Sequence, residues 1–265
     1  MSAHAKQGFT IIEVLLVLSI TGLLVGGLLV AVSGSINNER YRDATETFKS
    51  VLQNQYGELA SIYNDRENTW SCNSSTTIEE KGVTTENRGQ SDCFLLGKLV
   101  SINKKTITVS SIVGYEVSPP VEGEDDVTSI KSHYRLNDSP ISVDSLKMEW
   151  GTGIAAATKD GANTDPTNVK VSILFLRSPT SGQTYTFTTN KIYTDPSPAN
   201  LKAMIVAGDV APGTQAERVM CITSEGLAVG GDSALVINKF ATGPSAIELM
   251  SNSLLLSTRG KDVQC

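Results

Sequence analysis

The stretch Lys6–Glu13, KQGFTIIE, leads directly into Val14–Val32, VLLVLSITGLLVGGLLVAV. The second stretch contains no Asp, Glu, Lys or Arg, and as a helix rising about 1.5 Å per residue it would be about 29 Å long. This length matches the ~30 Å hydrocarbon core of a bilayer. We therefore predict one membrane-spanning helix near the N-terminus, and Lys6 predicts that its N-terminal end lies in the cytoplasm.

The residues before the apolar run are more specific than the run itself. An ordinary secretory signal is cleaved after its apolar segment, and Ala31 with Ser33 imitates such a site. An uncleaved membrane anchor is a second alternative. Here, however, Gly8-Phe9 and the carboxylate of Glu13 directly precede the run. An ionisable residue at the edge of a membrane helix is unfavourable unless it is paired, so Glu13 is a functional candidate.

This arrangement resembles the class III signal of type IV prepilins. The resemblance implies that a prepilin peptidase cuts between Gly8 and Phe9, and that Phe9 becomes the N-methylated terminus of the mature chain. It also implies that Glu13 pairs with the terminal amine of a neighbouring subunit and so fixes the register of assembly. The resemblance covers residues 6–63 and leaves most of the chain unassigned.

The sequence departs from the family in the later part of the apolar helix. Many pilins have a proline there, whereas this chain has Val30, with glycines at Gly26, Gly27 and Gly34 among others. Glycine is tolerated in membrane helices but weakens a helix outside the membrane. We therefore expect local flexibility around these glycines in the assembled filament.

The helix is expected to continue beyond the membrane as an amphipathic segment. Apolar residues follow one another at steps of three and four, at Tyr41, Ala44, Phe48, Val51, Leu52, Tyr56, Leu59 and Ile62. The expected organisation is a leader at residues 1–8, a transmembrane and filament-core helix at 9–34, an amphipathic half at 35–63 and a β-rich extracellular head at 64–265. The expected fold class is α+β, a pilin fold in which the long helix packs on a largely antiparallel sheet.

The head contains short runs with the composition and alternation of strands. They are Phe94–Val100, Lys105–Val117, Val169–Arg177, Gln183–Tyr193, Leu201–Val206, Arg218–Thr223 and Ala234–Asn238, and a short helix is considered near Ala246–Met250. Two of the stretches, Ile173–Arg177 with its following Ser181-Gly182 and Glu217–Gly226, resemble GspH/FimT-type minor pilins and pseudopilins.

The four cysteines, Cys72, Cys93, Cys221 and Cys265, all lie outside the apolar run. An even number in an exported domain suggests disulfides, although four cysteines allow three pairings, and crossed pairing or reduced thiols remain alternatives. We favour neighbour pairing, Cys72 with Cys93 and Cys221 with Cys265. The second pair resembles the C-terminal disulfide loop of many pilins.

Other chemistry is weakly supported. His133 is the only histidine after leader removal, and we interpret it as structural rather than catalytic. Asp160, Asn163 and Asp165 are weak calcium candidates, because the fuller pattern of a calcium loop is missing. Lys104-Lys105 and Arg259 with Lys261 form small basic clusters, but the net charge is −6, so nucleic-acid binding is not favoured.

The predicted function is structural and not enzymatic, with no cofactor. The chain is expected to be a subunit of a type IV pilus or related filament, more specifically a minor or tip pilin. The alternatives are a type II secretion pseudopilin and a DNA-uptake or adhesive pilin. The expected partners are other pilin subunits, the prepilin peptidase and the pilus assembly platform. The expected location is the cytoplasmic membrane before assembly and an extracellular filament afterwards.

Overall fold

The computed structural model describes residues 10–61, 69–80, 91–155, 170–189, 196–205, 217–224, 232–259 and 265. Its first element, α1, is a continuous helix of 51 residues, Ile11–Ser61. The helix passes through Gly26, Gly27 and Gly34 without a break. Its buried residues all lie in the second half, at Tyr41, Ala44, Thr45, Phe48, Leu52, Gln55, Tyr56 and Leu59. The predicted amphipathic face is therefore the face that packs on the head.

Eleven strands and three shorter helices make up the described part of the head. The strands are β1 (Trp70–Cys72), β2 (Ile78–Glu80), β3 (Phe94–Asn103), β4 (Thr106–Glu116), β5 (Tyr134–Lys147), β6 (Gly153–Ile154), β7 (Lys170–Arg177), β8 (Thr184–Thr189), β9 (Arg218–Thr223), β10 (Ser233–Ile237) and β11 (Ile247–Ser251). The helices are α2 (Asp126–His133), α3 (Pro198–Met204) and α4 (Asn252–Arg259).

The strands form three antiparallel sheets. A five-stranded sheet has the order β5-β4-β3-β7-β8, a four-stranded sheet has the order β11-β10-β9-β6, and β1 pairs with β2 alone. The fold is thus α+β, with a long N-terminal helix and an antiparallel β head, as the sequence predicted.

The second half of α1 packs against both larger sheets. Phe48, Leu52 and Tyr56 share one core with Phe175 of the five-stranded sheet and Met220 of the four-stranded sheet. The ring of Tyr56 meets the edge of Phe175 with 4.9 Å between centroids. Because α1 packs against both sheets, it cannot separate from the head without exposing the core of both.

Two smaller cores lie on the outer faces of the sheets. On the five-stranded sheet, Leu99 and Leu174 pack under Ile130 of α2 and Leu201 of α3. On the four-stranded sheet, Val219, Ala234, Val236 and Met250 pack under Leu255 of α4. The head therefore has layers on either side of each sheet.

Three local predictions were wrong or incomplete. The segment predicted as strand Leu201–Val206 begins in α3, because Ser197 caps the helix by accepting from the amide of Asn200 and Pro198 occupies its first turn. The helix considered near Ala246–Met250 is mostly strand β11. The sequence analysis missed β5, the longest strand, whose pairing with β4 shifts register between Ser110 and Ile112.

The exposed N-terminal helix as a candidate assembly site

Along the first half of α1, every residue from Ile11 to Ser33 is exposed. An 18-residue window in α1 has a mean hydropathy of 2.6 and is 0% buried, which makes α1 a helix long and apolar enough to cross a membrane. The large apolar side chains left exposed are Ile11, Ile12, Val14, Leu15, Leu16, Val17, Leu18, Ile20, Leu23, Leu24, Val25, Leu28, Leu29, Val30, Val32 and Ile36. A surface of this kind is unfavourable in water and requires lipid or other helices around it.

The free part of the helix has a defined length. The exposed apolar side chains of α1 extend from Ile11 to Ile36, so the free part of the helix, residues 11–36, is about 39 Å long. This is close to the ~40–45 Å of a bilayer with its headgroup layers. The helix is therefore long enough to cross a membrane while the head stays outside.

Glu13 closes the N-terminal end of the helix through a reciprocal pair with Thr10. The Glu13 carboxylate accepts from the amide and the hydroxyl of Thr10, both at 3.2 Å, and the Thr10 hydroxyl accepts from the Glu13 amide at 3.3 Å. This is a capping box, which satisfies backbone donors that the first turn otherwise leaves unpaired. Its T-x-x-E signal is present in the sequence, and the sequence analysis did not use it. Glu13 thus sits at an exposed helix start with its carboxylate held in place.

The junction between the free helix and the head is tightly bonded. The hydroxyl of Tyr41 donates to the carbonyl of Ile222 at 2.8 Å and accepts from the amide of Ser233 at 2.7 Å. At the preceding residue, the guanidinium of Arg40 lies 4.7 Å from the ring centroid of Trp150, within the range of a cation–π contact. A pull on the free helix is therefore passed directly to the four-stranded sheet.

Further contacts fix the rest of α1. Gln53 donates from Nε2 to the carbonyl of Pro244 at 2.8 Å, and the Tyr56 hydroxyl shares a hydrogen bond of 2.6 Å with Thr186. Near the end of the helix, Glu58 pairs with Lys98 of β3 at 2.8 Å. Gln53 also donates to the carbonyl of Ile247 in β11 at 3.2 Å, so these bonds reach both larger sheets and hold the helix on the head.

The N-terminal segment matches a known sequence motif. Residues 3–29 match the family model of the prokaryotic N-terminal methylation motif. The chain carries a type IV prepilin-like, class III signal. No curated protein and no solved structure matches the chain.

The prepilin-like signal agrees with the geometry of α1. The matched residues contain Gly8, Phe9 and Glu13 and most of the exposed apolar surface. Such a motif points to a pilin-like structural protein that is anchored in the membrane as a precursor and assembles with other pilin subunits. Of the three residues, Glu13 lies in α1, while Gly8 and Phe9 lie outside the described residues.

The structure brings the cysteines together in the neighbouring pairs. Cys72 is bonded to Cys93 at a sequence separation of 21, and Cys221 is bonded to Cys265 at a separation of 44. The first bond ties the β1–β2 hairpin to the start of β3. The second ties the last residue to β9, where Asn252 also accepts from the Cys265 amide at 3.2 Å.

His133 occupies a structural position at the end of α2. Its Nδ1 lies 2.8 Å from the hydroxyl of Ser118, and its Nε2 lies 2.9 Å from a carboxylate oxygen of Glu124. Both partners belong to the loop that precedes α2, so the imidazole fastens that loop to the helix. The side chain is only 14% exposed.

The remaining candidates are dispersed. Asp160, Asn163 and Asp165 lie outside the described residues, and the described ones contain no group of three or more His, Cys, Asp or Glu side chains placed to hold a metal. Lys104 and Lys105 form the turn between β3 and β4. In the other basic cluster, Arg259 pairs with Glu217 at 2.8 Å, and Lys261 lies outside the described residues.

Proposed function

We propose that this protein is a subunit of a type IV pilus or a related filament. The observation that carries the proposal is the overlap of the methylation motif with a helical segment, residues 11–33, in which every residue is exposed. The proposed organisation is a leader at 1–8, a filament-core helix at 9–34, an amphipathic half at 35–63 and an extracellular head at 64–265.

Assembly follows from the environments that the free helix tolerates. A prepilin peptidase removes residues 1–8, and the mature chain beginning at Phe9 stays in the bilayer as a single-pass protein. The exposed run Val14–Val32 leaves the lipid only when other apolar helices replace it. The packed helices of a filament supply that replacement. The assembly platform and other pilins are therefore the proposed partners.

Glu13 is proposed to set the register of each incoming subunit. In an apolar environment, a cationic partner strongly stabilises an ionised carboxylate. The amine of a neighbouring Phe9 supplies this charge after cleavage. The capping box with Thr10 holds the carboxylate at the helix start, where such an amine approaches.

Within this class we propose a minor or tip subunit. Beyond the sheets that cover α1, the head adds α2, α3 and the β1–β2 hairpin at the end away from the free helix. A subunit at the tip is the one whose distal end no further subunit covers. These added elements would there be available for binding.

The test is the N-terminus of the full chain expressed with and without a prepilin peptidase. We expect intact mass and peptide sequencing to give a mature chain starting at Phe9, and a Gly8 substitution to block this cut. An intact Met1, or a cut near Ala31–Ser35, would leave a membrane-anchored or secreted β domain instead. The copy number in sheared filaments then separates a minor pilin from a major one, and retention in the cell envelope marks a pseudopilin.

A further inference from the structure

A cavity of about 420 Å³ opens between the β1–β2 turn, the start of β5 and the start of α3. The residues that line it are Ser75, Thr76, Arg135, Pro198, Ala199 and Lys202. Two of these side chains are cations in a chain whose net charge is −6. The lining of the cavity is therefore positively charged in a protein whose net charge is negative.

The cavity lies at the end of the head away from the free helix. Arg135 belongs to the end of β5 that pairs with the last residues of β4, and these in turn pair with the start of β3 at Phe94. Further along β3, Lys98 reaches Glu58 close to the C-terminal end of α1. Since the exposed half of α1 is at the opposite end, the membrane and the filament core leave this cavity open.

The cations around the cavity act on one another. Burial lowers the pKa of Lys202, and the positive charges of Arg135 and Lys131 lower it further. Among the described residues, the charges acting on Lys202 are thus both positive. Two carboxylates at the start of α2 have other partners: Asp126 accepts from the hydroxyl of Tyr185 at 2.8 Å, and Asp125 accepts from the amide of Thr128 at 3.0 Å. An anion placed here would relieve the repulsion between three cations.

The geometry of Arg135 suits an oxyanion. One of its guanidinium nitrogens, Nη1, donates to the carbonyl of Ser74 at 3.0 Å, which fixes the planar group at the cavity wall. A guanidinium held in this way offers its remaining N–H groups as a fork to two oxygens of one anion, whereas a lysine acts as a point charge. Lys202 supplies that charge, and the hydroxyl of Ser75 adds a donor.

We propose that this cavity binds a phosphate monoester group. Arg135 and Lys202 line the cavity, and Lys131 is near enough to act on Lys202, so the positive charge here exceeds that of a single carboxylate partner. A phosphate monoester carries about −1.5 to −2 at neutral pH. Pro198 and Ala199 form an apolar wall that suits the carrier of the phosphate, such as a sugar ring. This cavity is separate from the helix that is proposed to assemble the filament. Its proposed ligand, a phosphate monoester, would bind at the distal end of the head.

The test is calorimetric titration of the full chain in uncharged maltoside micelles at constant ionic strength. The probes are inorganic phosphate, glucose 6-phosphate, acetate and a short DNA duplex. We expect saturable binding of one phosphate or one glucose 6-phosphate, and none of acetate. Tighter binding of the sugar phosphate than of the free ion would support a carried group, and equal binding would support the phosphate alone.

Matched variants assign the binding to the cavity. Arg135→Gln and Lys202→Gln each remove a charge-assisted bond and should weaken binding about tenfold. Lys147→Gln removes one exposed charge from the far end of the same strand and should leave binding unchanged. Arg135→Lys should weaken binding while keeping the charge, because the fork is lost. Circular dichroism of each variant verifies the fold.

Three results would overturn the site. They are the absence of saturable binding with both phosphate probes, equal binding of acetate, and a loss in Lys147→Gln as large as in Arg135→Gln. A preference for duplex DNA over glucose 6-phosphate would also count against it, since that indicates a polyanion surface. Binding is measured on unassembled chain, so these failures would leave the filament proposal intact.

Discussion

The hydroxyl of Tyr41 donates to the carbonyl of Ile222 across 181 residues of sequence, at 2.8 Å, and the amide of Ser233 donates to the same hydroxyl. One side chain therefore bridges β9 and β10 exactly where α1 enters the head. The phenol is 6% exposed, so water does not replace these bonds. Force on the membrane half of the helix is therefore transmitted to the four-stranded sheet at this point.

Tyr41→Phe should destabilise the head. The substitution keeps the ring in its core but leaves the Ser233 amide and Ile222 carbonyl without this partner, which predicts a loss of about 1–3 kcal/mol in the free energy of unfolding. Urea unfolding of the full chain in mild detergent measures it. Tyr115→Phe, in a half-exposed position on β4, is the control and should change stability little. Equal stability of wild type and Tyr41→Phe would contradict this role.

Much of the fold was predictable because α1 and most strands are specified by local patterns. The apolar steps from Tyr41 to Leu59 correspond to the residues that the helix buries. The segments at β3, β4, β7, β9 and β10 alternate or run apolar as strands do, and each is found as a strand. In these elements local preference and tertiary packing agree.

The rest depended on contacts that no local pattern shows. Strand β5 contains Asn137, Asp138 and Pro140, which are turn residues, but pairing with β4 carries it through a bulge between partners Asp138 and Val143. The basic cavity joins residues 75, 135 and 202, which are far apart in sequence and close only after folding. The assembly helix was predictable because a single continuous segment carries it.

Loss of the disulfides should lower stability by similar amounts. Replacing Cys221 and Cys265 by alanine frees a loop of separation 44 and should cost about 4 kcal/mol, and the same change at Cys72 and Cys93, separation 21, about 3 kcal/mol. The values are close because loop-closure entropy grows only with the logarithm of length. Urea unfolding of each double variant against wild type gives the two differences. An unchanged midpoint in either variant would contradict the prediction for that bond.

The contact between Tyr185 and Asp126 predicts a pH dependence at both extremes. Burial, followed by the hydrogen bond to Asp126, raises the pKa of Tyr185 to about 12. Burial acts to raise the pKa of Asp126, but hydrogen bonds from Ser181, Tyr185 and Ser178 outweigh it, and the pKa falls below its ordinary 3.8. The folded state therefore prefers a protonated phenol and an ionised carboxylate.

The two groups lose their stabilising effect at opposite ends of the pH range. The stability linked to Tyr185 is complete below pH 10.0, its ordinary pKa, and is lost as the pH rises toward about 12. That linked to Asp126 is complete above pH 3.8 and is lost as the pH falls through the lowered pKa. Tyr185→Phe should remove part of the alkaline loss, and Asp126→Asn should weaken both. Unfolding free energies measured across this pH range test it, and an unchanged alkaline slope in Tyr185→Phe would contradict it.

Gly26 and Gly27 should affect incorporation into the filament but not the folding of the isolated subunit. A Cβ at Gly26 or Gly27 would meet nothing within 4 Å in the subunit, and alanine favours a helix by about 1 kcal/mol over glycine. The double variant Gly26→Ala, Gly27→Ala should therefore fold and insert normally but enter filaments less, because the helix bends less readily between neighbours. Gly57→Ala is the control, because an added Cβ there also meets nothing within 4 Å but the residue lies in the half of α1 that packs on the head. Wild-type incorporation of the double variant would remove the case for flexibility at these positions.

Glu13 has two separable roles, as a helix cap and as a charge, and one pair of variants distinguishes them. Glu13→Gln keeps a side-chain oxygen that accepts from the Thr10 amide but has no charge, whereas Thr10→Val removes the hydroxyl of the capping box and keeps the carboxylate. If the charge pairs with a neighbour's terminal amine, Glu13→Gln should lower filament incorporation about tenfold or more, the loss expected for one charge-assisted bond. Thr10→Val should assemble nearly as wild type.

The measurement is the ratio of each variant in sheared filaments to that in the membrane fraction. Both variants should be cut at the same N-terminal position, so that a difference reports assembly and not processing. A loss in Thr10→Val equal to that in Glu13→Gln would contradict the role of the charge, because Thr10→Val keeps the carboxylate and removes only the hydroxyl of the capping box. Normal assembly of Glu13→Gln would show that the carboxylate charge does not set the register, and the apolar surface of α1 would then have to fix it alone.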